Sequence, residues 1–381
     1  MRWFIPTVLG VYFLMHLYIY LRLVKPFVKD KKWKGFVLSV FVYFFFSPFV
    51  WRYADKNFAP EVSYLIVFTG LLWMGFLLYL VVFSLLMDLY EGFVLFSKRF
   101  LGINPLPLPA GKLRLFLVLL FAFSLSAYGY FETLNLKVER ITLYSDKISA
   151  NSVKILHISD LHLGPVMGMD KIRLVYEVYK REKPSMIVST GDLVDGNMRN
   201  KSHLALALAQ MVTPLGKYAV LGNHEYYRGV EQAVDFTQKA GFVLLRGKSL
   251  YIPEVNITLV GIDDDDCRFF NQCVGTLSDY QLLRRVDQKS FVLYLKHKPR
   301  IEGRAVGLFD LMLSGHTHGG VYYPVGRLIL TRLFVTDRGL VRLGDGYLYV
   351  SKGVGTGGPP IRLFSPPDVA VIEILKTGTR E

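Results

Sequence analysis

The sequence is poor in cysteine: its 381 residues carry only Cys267 and Cys273. One pair cannot define a disulfide framework. Six positions apart, the two could close a short surface disulfide in an oxidising compartment or stand as free thiols. The acidic run before them, Asp263-Asp264-Asp265-Asp266, lacks the glycine and terminal glutamate of an EF-hand loop and reads as a solvated turn. The Gly/Pro-rich stretch 353–360 lacks the Lys and Ser/Thr of a P-loop and reads as a turn system that could line a cleft. No internal repeat or low-complexity tract is present.

Charge is missing from the front of the chain. Trp3–Leu21 is apolar apart from His16, and Gly35–Trp51 and Val62–Met87 hold no charged residue. A fourth apolar run covers Leu115–Phe131. The third run alone would reach about 39 Å as a helix, against a hydrocarbon core about 30 Å thick. Four spans are therefore predicted, at 3–21, 35–51, 62–87 and 115–131. The first has only Arg2 as an n-region and no small-residue cleavage site, which argues against a cleaved signal peptide. Ionisable residues inside the spans are nearly absent, so a transport path is not expected. His16 reads as a packing residue, and Arg22, near a helix end, can snorkel. The spans read as an anchor.

Loop charge sets the expected orientation. The first loop holds Lys25, Lys29, Lys31, Lys32 and Lys34 against Asp30. The third holds Lys98, Arg99, Lys112 and Arg114 against Asp88 and Glu91. Placing these loops in the cytoplasm puts everything after Phe131 outside it, at a bacterial inner or plasma membrane; a cytoplasmic domain is the alternative. The net charge of +14 does not call for nucleic acid: residues 1–140 hold 15 Lys/Arg and 7 Asp/Glu, so more than half of the excess lies with the spans. A basic domain beside a bilayer is better suited to anionic headgroups.

What is present lies in the second half. Val153 to Ser159 reads as a buried strand and ends in Asp160-Leu161-His162. On an extended backbone these two side chains project from one side, where a carboxylate and an imidazole can meet at one metal. Ser185–Thr190 ends in Gly191-Asp192, and Tyr218–Leu221 in Gly222-Asn223-His224-Glu225. Phe291–Lys296 ends at His297, and Phe309–Ser314 in Gly315-His316-Thr317-His318. Taken singly, Asp192 could be a helix N-cap, Asn223 a turn residue and His297 a surface-loop residue. His157, inside its strand, reads as packing, His203 as solvated, and Asp195 as a neighbour supporting Asp192. Helical spacing marks 170–181, 204–211, 230–240 and 278–286. Further strands are expected at 242–245, 249–252, 257–261, 327–331, 347–351 and 369–374, and a slip in alternation in the first strand suggests a bulge near Glu139-Arg140 or two short strands. Alternating α and β, then mostly β, points to a mixed α/β sandwich. The domains expected are a transmembrane anchor over 1–131, a linker and first strand over 132–150, and a catalytic domain over 151–381.

Asp160-x-His162, Gly191-Asp192, Gly222-Asn223-His224-Glu225, His297 and Gly315-His316-x-His318 resemble, in order, the motifs of calcineurin-like metallophosphoesterases over roughly 150–375. The ending Pro360-Ile361-Arg362-Leu363-Phe364 resembles the membrane-anchored bacterial branch. The resemblance implies a four-layer sandwich of two sheets flanked by helices and two divalent metals. Asp160, His162 and His318 would bind one metal and Asn223, His297 and His316 the other, with Asp192 bridging. The donor set would suit Mn, Fe or Zn. His224 would act as general acid toward the leaving oxygen, and Glu225 would orient it. Two such ions bring a shared water's pKa toward neutrality, and the resulting hydroxide would attack phosphorus in line. The expected function is hydrolysis of a phosphodiester or pyrophosphate, with the anchor favouring a lipid or lipid-linked substrate. Related enzymes include a pyrophosphatase acting on UDP-diacylglucosamine, which suits a cytoplasmic domain. The alternative is a membrane scaffold or sensor with a vestigial site.

Overall fold

The computed structural model describes residues 4–107, 110–198, 200–275 and 277–378. The chain divides into two compact units, Met1–Phe131 with Gly358–Ile361, and Glu132–Gly357 with Arg362–Glu381.

The first unit contains α1 (Phe4–Ile19), α2 (Lys31–Asn57), α3 (Pro60–Phe96) and α4 (Gly111–Glu132). Four stretches, Pro6–Val24, Lys31–Trp51, Pro60–Leu101 and Gly111–Glu132, are long and apolar enough to cross a membrane. Trp3, the expected start of the first span, lies outside the described residues. The helices outrun the charge-free runs because their ends are capped or paired. The Asp30 side chain accepts from the Lys32 and Trp33 N–H groups and opens α2. Asp88 and Glu91, which the sequence places in a loop, lie inside α3. Asp88 accepts from Arg22 and Arg114, and Arg114 also reaches Glu91 at 2.9 Å. Arg22 is thus part of an ion network rather than a lone snorkelling side chain. His16 is buried: Trp73 Nε1 donates to its Nε2 at 3.0 Å, which leaves Nδ1–H to donate to the Tyr12 carbonyl at 2.8 Å. Both ring nitrogens are bonded, as suits a packing residue.

The second unit opens with β1 (Lys137–Ser145) and β2 (Ser152–Ile158), then α5 (Met169–Glu182), β3 (Met186–Ser189), α6 (Ser202–Ala209) and β4 (Lys217–Ala219). There follow α7 (Asn223–Arg228), α8 (Val230–Lys239), β5 (Val243–Leu244), β6 (Lys248–Ile252), β7 (Ile257–Gly261), α9 (Asp279–Leu283), β8 (Phe291–Leu295) and β9 (Leu311–Ser314). The last elements are α10 (Val325–Leu330), β10 (Gly339–Leu343), β11 (Gly346–Val350) and β12 (Asp368–Lys376). Two six-stranded sheets form, ordered β1-β12-β2-β3-β4-β5 and β10-β11-β9-β8-β7-β6. In β2, Val153 and Ile155 enter the core between the sheets, with Leu259, Leu293 and Leu313. Leu156 and Ile158 face the opposite way and pack with Ile172 and Val175 of α5 and Phe236 of α8. Helix α9 covers the outer face of the second sheet through Leu282 and Leu283. The result is a four-layer α/β sandwich. Strands buried on both faces read as continuous apolar runs, which is why β2, β3, β8 and β9 were legible.

Three local expectations fail. No bulge interrupts β1, whose register with β12 is unbroken from Lys137↔Asp368 to Ser145↔Lys376. Residues 327–331 are not a strand: Leu328 N–H donates to the Pro324 carbonyl at 3.2 Å and Thr331 N–H to Arg327 at 3.0 Å, which closes a helix. The sheet edge is supplied instead by β10, whose mixed residues gave no periodic signal. The acidic run is not solvated either. Asp263 pairs with Arg246 at 2.8 Å, and Asp264 and Asp266 share Lys298 at 2.8 and 2.7 Å. Cys267 and Cys273 form a disulfide beside this cluster.

Asp368 ties the sheets together. From the start of β12 its carboxylate accepts from Ser351 Oγ at 2.5 Å, the Lys352 N–H at 2.9 Å and Tyr349 Oη at 3.2 Å, on and just beyond β11. Breaking a buried ionic cluster from one side typically costs about 3–5 kcal/mol. Asp368→Ala is expected to destabilise the protein by that amount in denaturant unfolding in detergent. A loss below about 1 kcal/mol, the scale of an exposed pair, would show that this cluster does not hold the sheets.

Candidate metal centre

The seven residues singled out from the sequence meet in one place, beyond the C-terminal ends of five strands. Asp160 and His162 follow β2, Asp192 follows β3, Asn223 follows β4, His297 follows β8, and His316 and His318 follow β9. Strands β2, β3 and β4 run parallel, as do β8 and β9, so each group of loops opens toward the same end of its sheet.

The backbone reaches this arrangement by a different route from the extended one expected. Asp160, His162, Asp192, His316 and His318 all have φ between 49° and 71°. Left-handed backbone at a non-glycine residue costs of order 1–3 kcal/mol and clusters at functional sites. Sharp turns at both Asp160 and His162 aim their side chains together. Gly191, at φ 98°, has space for only a hydrogen, because a Cβ there would strike the Gly222 backbone. That close approach sets Asp192 beside Asn223 and His224.

The Asp192 carboxylate is the hub. Its Oδ1 accepts from the His224 N–H at 2.9 Å. Its Oδ2 faces three imidazoles: His297 Nε2 at 3.2 Å, His162 Nε2 at 3.8 Å and His224 Nε2 at 4.0 Å. Asp160 Oδ1 lies 3.6 Å from His318 Nε2 and 3.9 Å from His162 Nε2. Asn223 Oδ1 is 3.1 Å from His297 Nε2, and His316 Nδ1 is 3.2 Å from the same nitrogen. His162 Nε2 and His318 Nε2 face each other at 3.1 Å. His297 Nδ1 is 2.8 Å from the Thr190 carbonyl, which takes its proton and leaves Nε2 with a free lone pair. Nitrogen lone pairs turned toward one another beside two buried carboxylates repel or compete unless a proton or cation lies between them. This donor set therefore fits metal ions, in the groups Asp160–His162–His318 and Asp192–His297–His316.

Electrostatics separates the members. Asp192 loses solvation by burial, yet His297, His224 and His162 together hold its carboxyl well below the usual range. His224 also loses solvation, but Asp195 and Asp192 overcome this and lift it to about 9. His224 is the more exposed, with 19% of its side chain accessible against 2% for Asp192. The neighbouring carboxylates thus favour the protonated form of this partly exposed imidazole.

Several supporting residues were missed or misassigned. Asp195 supports His162 of the first group and His224: Oδ1 lies 2.9 Å from His224 Nδ1 and Oδ2 lies 3.5 Å from His162 Nδ1, with Arg228 Nε donating to Oδ1 at 2.8 Å. Glu225 does not orient His224. It accepts from the N–H groups of Asp192, Leu193, Val194 and Gly222 at 2.6–3.2 Å and so clamps two loops. His157, read as packing, packs on Tyr349 and also starts a buried chain. Its Nε2 meets Thr190 Oγ1 at 2.8 Å, Thr190 donates to Ser159 at 2.8 Å, and Ser159 to Asp160 at 2.5 Å. Burial holds His157 at about 3, so it is neutral. Arg362 is wholly buried. Its guanidinium donates to the carbonyls of Lys352, Gly353, Gly355 and Ser365 at 2.7–3.1 Å and stands 3.1 Å from His318 Nδ1. An arginine inside the apolar stretch Pro360–Phe364 was the only sequence signal for it. The glycine stretch does line the site: a Cβ on Gly357 would stand 2.8 Å from His162 Cε1 and 3.4 Å from His224 Cε1. His203 is exposed on α6, away from the cluster.

The calcineurin-like phosphoesterase profile matches residues 153–320. A metallophosphoesterase of Aquifex aeolicus is 50% identical over 256 residues, covering 67% of this chain and 97% of its own length. One from Helicobacter pylori is 30% identical over 275 residues, covering 69% and 72%. A Danio rerio protein described as a transmembrane protein with metallophosphoesterase domain is 30% identical over 240 residues, covering 60% of this chain and 54% of the fish protein. Aligned over 67% of its length with 97% of a relative that is 50% identical over that stretch, the chain belongs to the calcineurin-like phosphoesterase family.

Proposed function

We propose that this chain is a membrane-anchored hydrolase that cleaves a phosphodiester or pyrophosphate in a lipid or lipid-linked substrate. One observation carries the reading: a buried carboxylate, Asp192, faces three imidazoles within 4.0 Å while Asp160 and two further imidazoles close the other side. In this reading Asp160, His162 and His318 hold one divalent ion, Asn223, His297 and His316 hold a second, and Asp192 is shared. Mn, Fe or Zn suits the mixed N/O donors. Bound there, the ions supply Lewis acidity and an activated water.

The chain's own residues do the rest. Asp195, 2.9 Å from Nδ1, favours the protonated form of His224, and the partial exposure of the ring lets Nε2 hand a proton to the leaving oxygen. Asp195 fixes the rings of His224 and His162 through their Nδ1 atoms. Glu225 keeps the Asp192 and Asn223 loops in register. Gly357 lets the chain pass close against His162 and His224, where a Cβ would already crowd the His162 ring. Support for a lipid-linked substrate comes from the four apolar helices. Support for an extracytoplasmic domain, in a bacterial inner membrane, comes from loop charge and from the disulfide.

Purified full-length chain is expected to carry two divalent ions and to turn over a chromogenic phosphodiester with Mn2+. Asp192→Asn is expected to lose both metal and turnover. Full metal content without turnover on phosphodiester or pyrophosphate substrates would favour a scaffold instead. Asp195→Asn is expected to reduce activity by about 10–100-fold, as lost outer support of a metal site does. Because His224 acts when protonated, the rate should fall as pH rises through its pKa. Removing the Asp195 charge lowers that pKa, so the alkaline limb of kcat should move to lower pH; an unmoved limb would exclude His224 as the acid. For topology, a cysteine introduced at exposed Val212 should react with an impermeant maleimide on whole cells, and protection there would reverse the orientation.

A further inference from the structure

Just beyond His318 the chain exposes an apolar surface that no part of the catalytic argument uses. Residues 321–335 contain no acidic side chain. Helix α10 in their middle buries none of its residues. Val325, Leu328, Ile329, Leu333, Val335 and nearby Phe364 are each 44–63% exposed. Exposed Arg327 and Arg332 alternate with them; Arg327 Nε stands 3.8 Å from the buried Asp337 carboxylate while half of its side chain remains exposed. Leu, Ile and Val clustered in the open are unfavourable in water, and a contiguous apolar patch of this kind marks an interaction surface.

The patch is fastened to the site at both ends. It begins three residues after His318, and near its far end the Phe334 ring stands edge-on to the His316 ring at 5.4 Å. Arg300 lies over the other side of Phe334, its guanidinium 4.7 Å from the ring centre. Tyr323 N–H donates to the Leu363 carbonyl at 3.0 Å and Leu363 N–H to Val321 at 2.8 Å, which keeps Phe364 beside the segment. Whatever covers this surface is therefore held next to His316 and His318.

We infer that segment 323–335, with Phe364, seats the catalytic unit on an anionic bilayer, its aliphatic side chains below the headgroups and Arg327 and Arg332 among the phosphates. Two observations choose a bilayer over a protein partner. The charge is of one sign, with arginines interleaved among aliphatic residues, the composition of an interfacial element. A membrane is also already at hand, since α4 ends at Glu132 and β1 begins at Lys137. Seated this way, the cluster at His316 and His318 works at headgroup depth, and its substrate is the phosphoester of a lipid resident in that leaflet. This last step rests on the proposed hydrolase function; the seating itself does not.

The test uses full-length protein in vesicles of phosphatidylcholine with and without phosphatidylglycerol. Both native cysteines are paired, so Leu328→Cys offers one thiol for an environment-sensitive fluorophore, with Val212→Cys as an exposed control. The Leu328 label is expected to be quenched by lipids carrying a shallow nitroxide, more so with phosphatidylglycerol, and the Val212 label to be unaffected. Equal quenching at the two positions would overturn the seating. In a second arm, Leu328→Glu/Ile329→Glu is expected to lower hydrolysis of a vesicle-borne phospholipid by about tenfold while sparing a soluble chromogenic diester, as loss of interfacial binding would. Equal loss on both substrates would show a structural role and overturn the substrate inference. Absence of turnover on either substrate in unsubstituted protein would count against the hydrolase reading, and the quenching arm would still decide the seating.

Discussion

Four backbone N–H groups converge on the buried carboxylate of Glu225, and the candidate metal centre depends on them. A carboxylate has about four lone-pair directions, and here the peptides of Asp192, Leu193, Val194 and Gly222 fill them. The bonds bind the loop after β3 to the loop after β4. Burial and the nearby Asp192 push Glu225 up to about 7, while the Val194 and Gly222 N–H groups pull the other way. The N–H donors and His297 favour the charged form against this net push toward the neutral one. Without that clamp, the left-handed turn at Asp192 would have little to oppose its strain, and the hub of the cluster would be free to swing.

Much of the site was legible because it is built from residue types that do little else at the ends of apolar strands. Two-sided burial made β2, β3, β8 and β9 read as apolar runs, and Asp, Asn and His at all five ends made coincidence implausible. The sequence could not show how the chain turns. Asp160 and His162 were expected on extended backbone, whereas each takes a left-handed conformation that a sequence permits but does not announce. Nor could it show partners distant along the chain. Asp263, Asp264 and Asp266 look like a solvated run until Arg246 and Lys298 arrive from other loops to neutralise them. Arg362 looked like part of a terminal motif, and only the fold brings its guanidinium to His318. The one strand read where a helix stands, at 327–331, failed because a short apolar run carries no periodicity of its own.

The same reasoning separates two uses of charge in this chain. In the first unit, Asp88, Glu91, Arg22 and Arg114 neutralise one another, and His16 spends both nitrogens on hydrogen bonds, so these groups are mutually satisfied. Around Asp192 the opposite holds, with acids and bases brought close but left without enough protons to satisfy them. Unspent polarity of that kind is costly to bury and persists where it serves binding or reaction.

The residues around Asp192 are contributed by strands of both sheets, from Asp160 after β2 to His318 after β9. Neither the Asp160–His162–His318 group nor the Asp192–His297–His316 group is complete within one sheet. Any cation that needs donors from both sheets can be held in full only once the sandwich has closed, so the ions it meets are those of the compartment in which the folded domain stands.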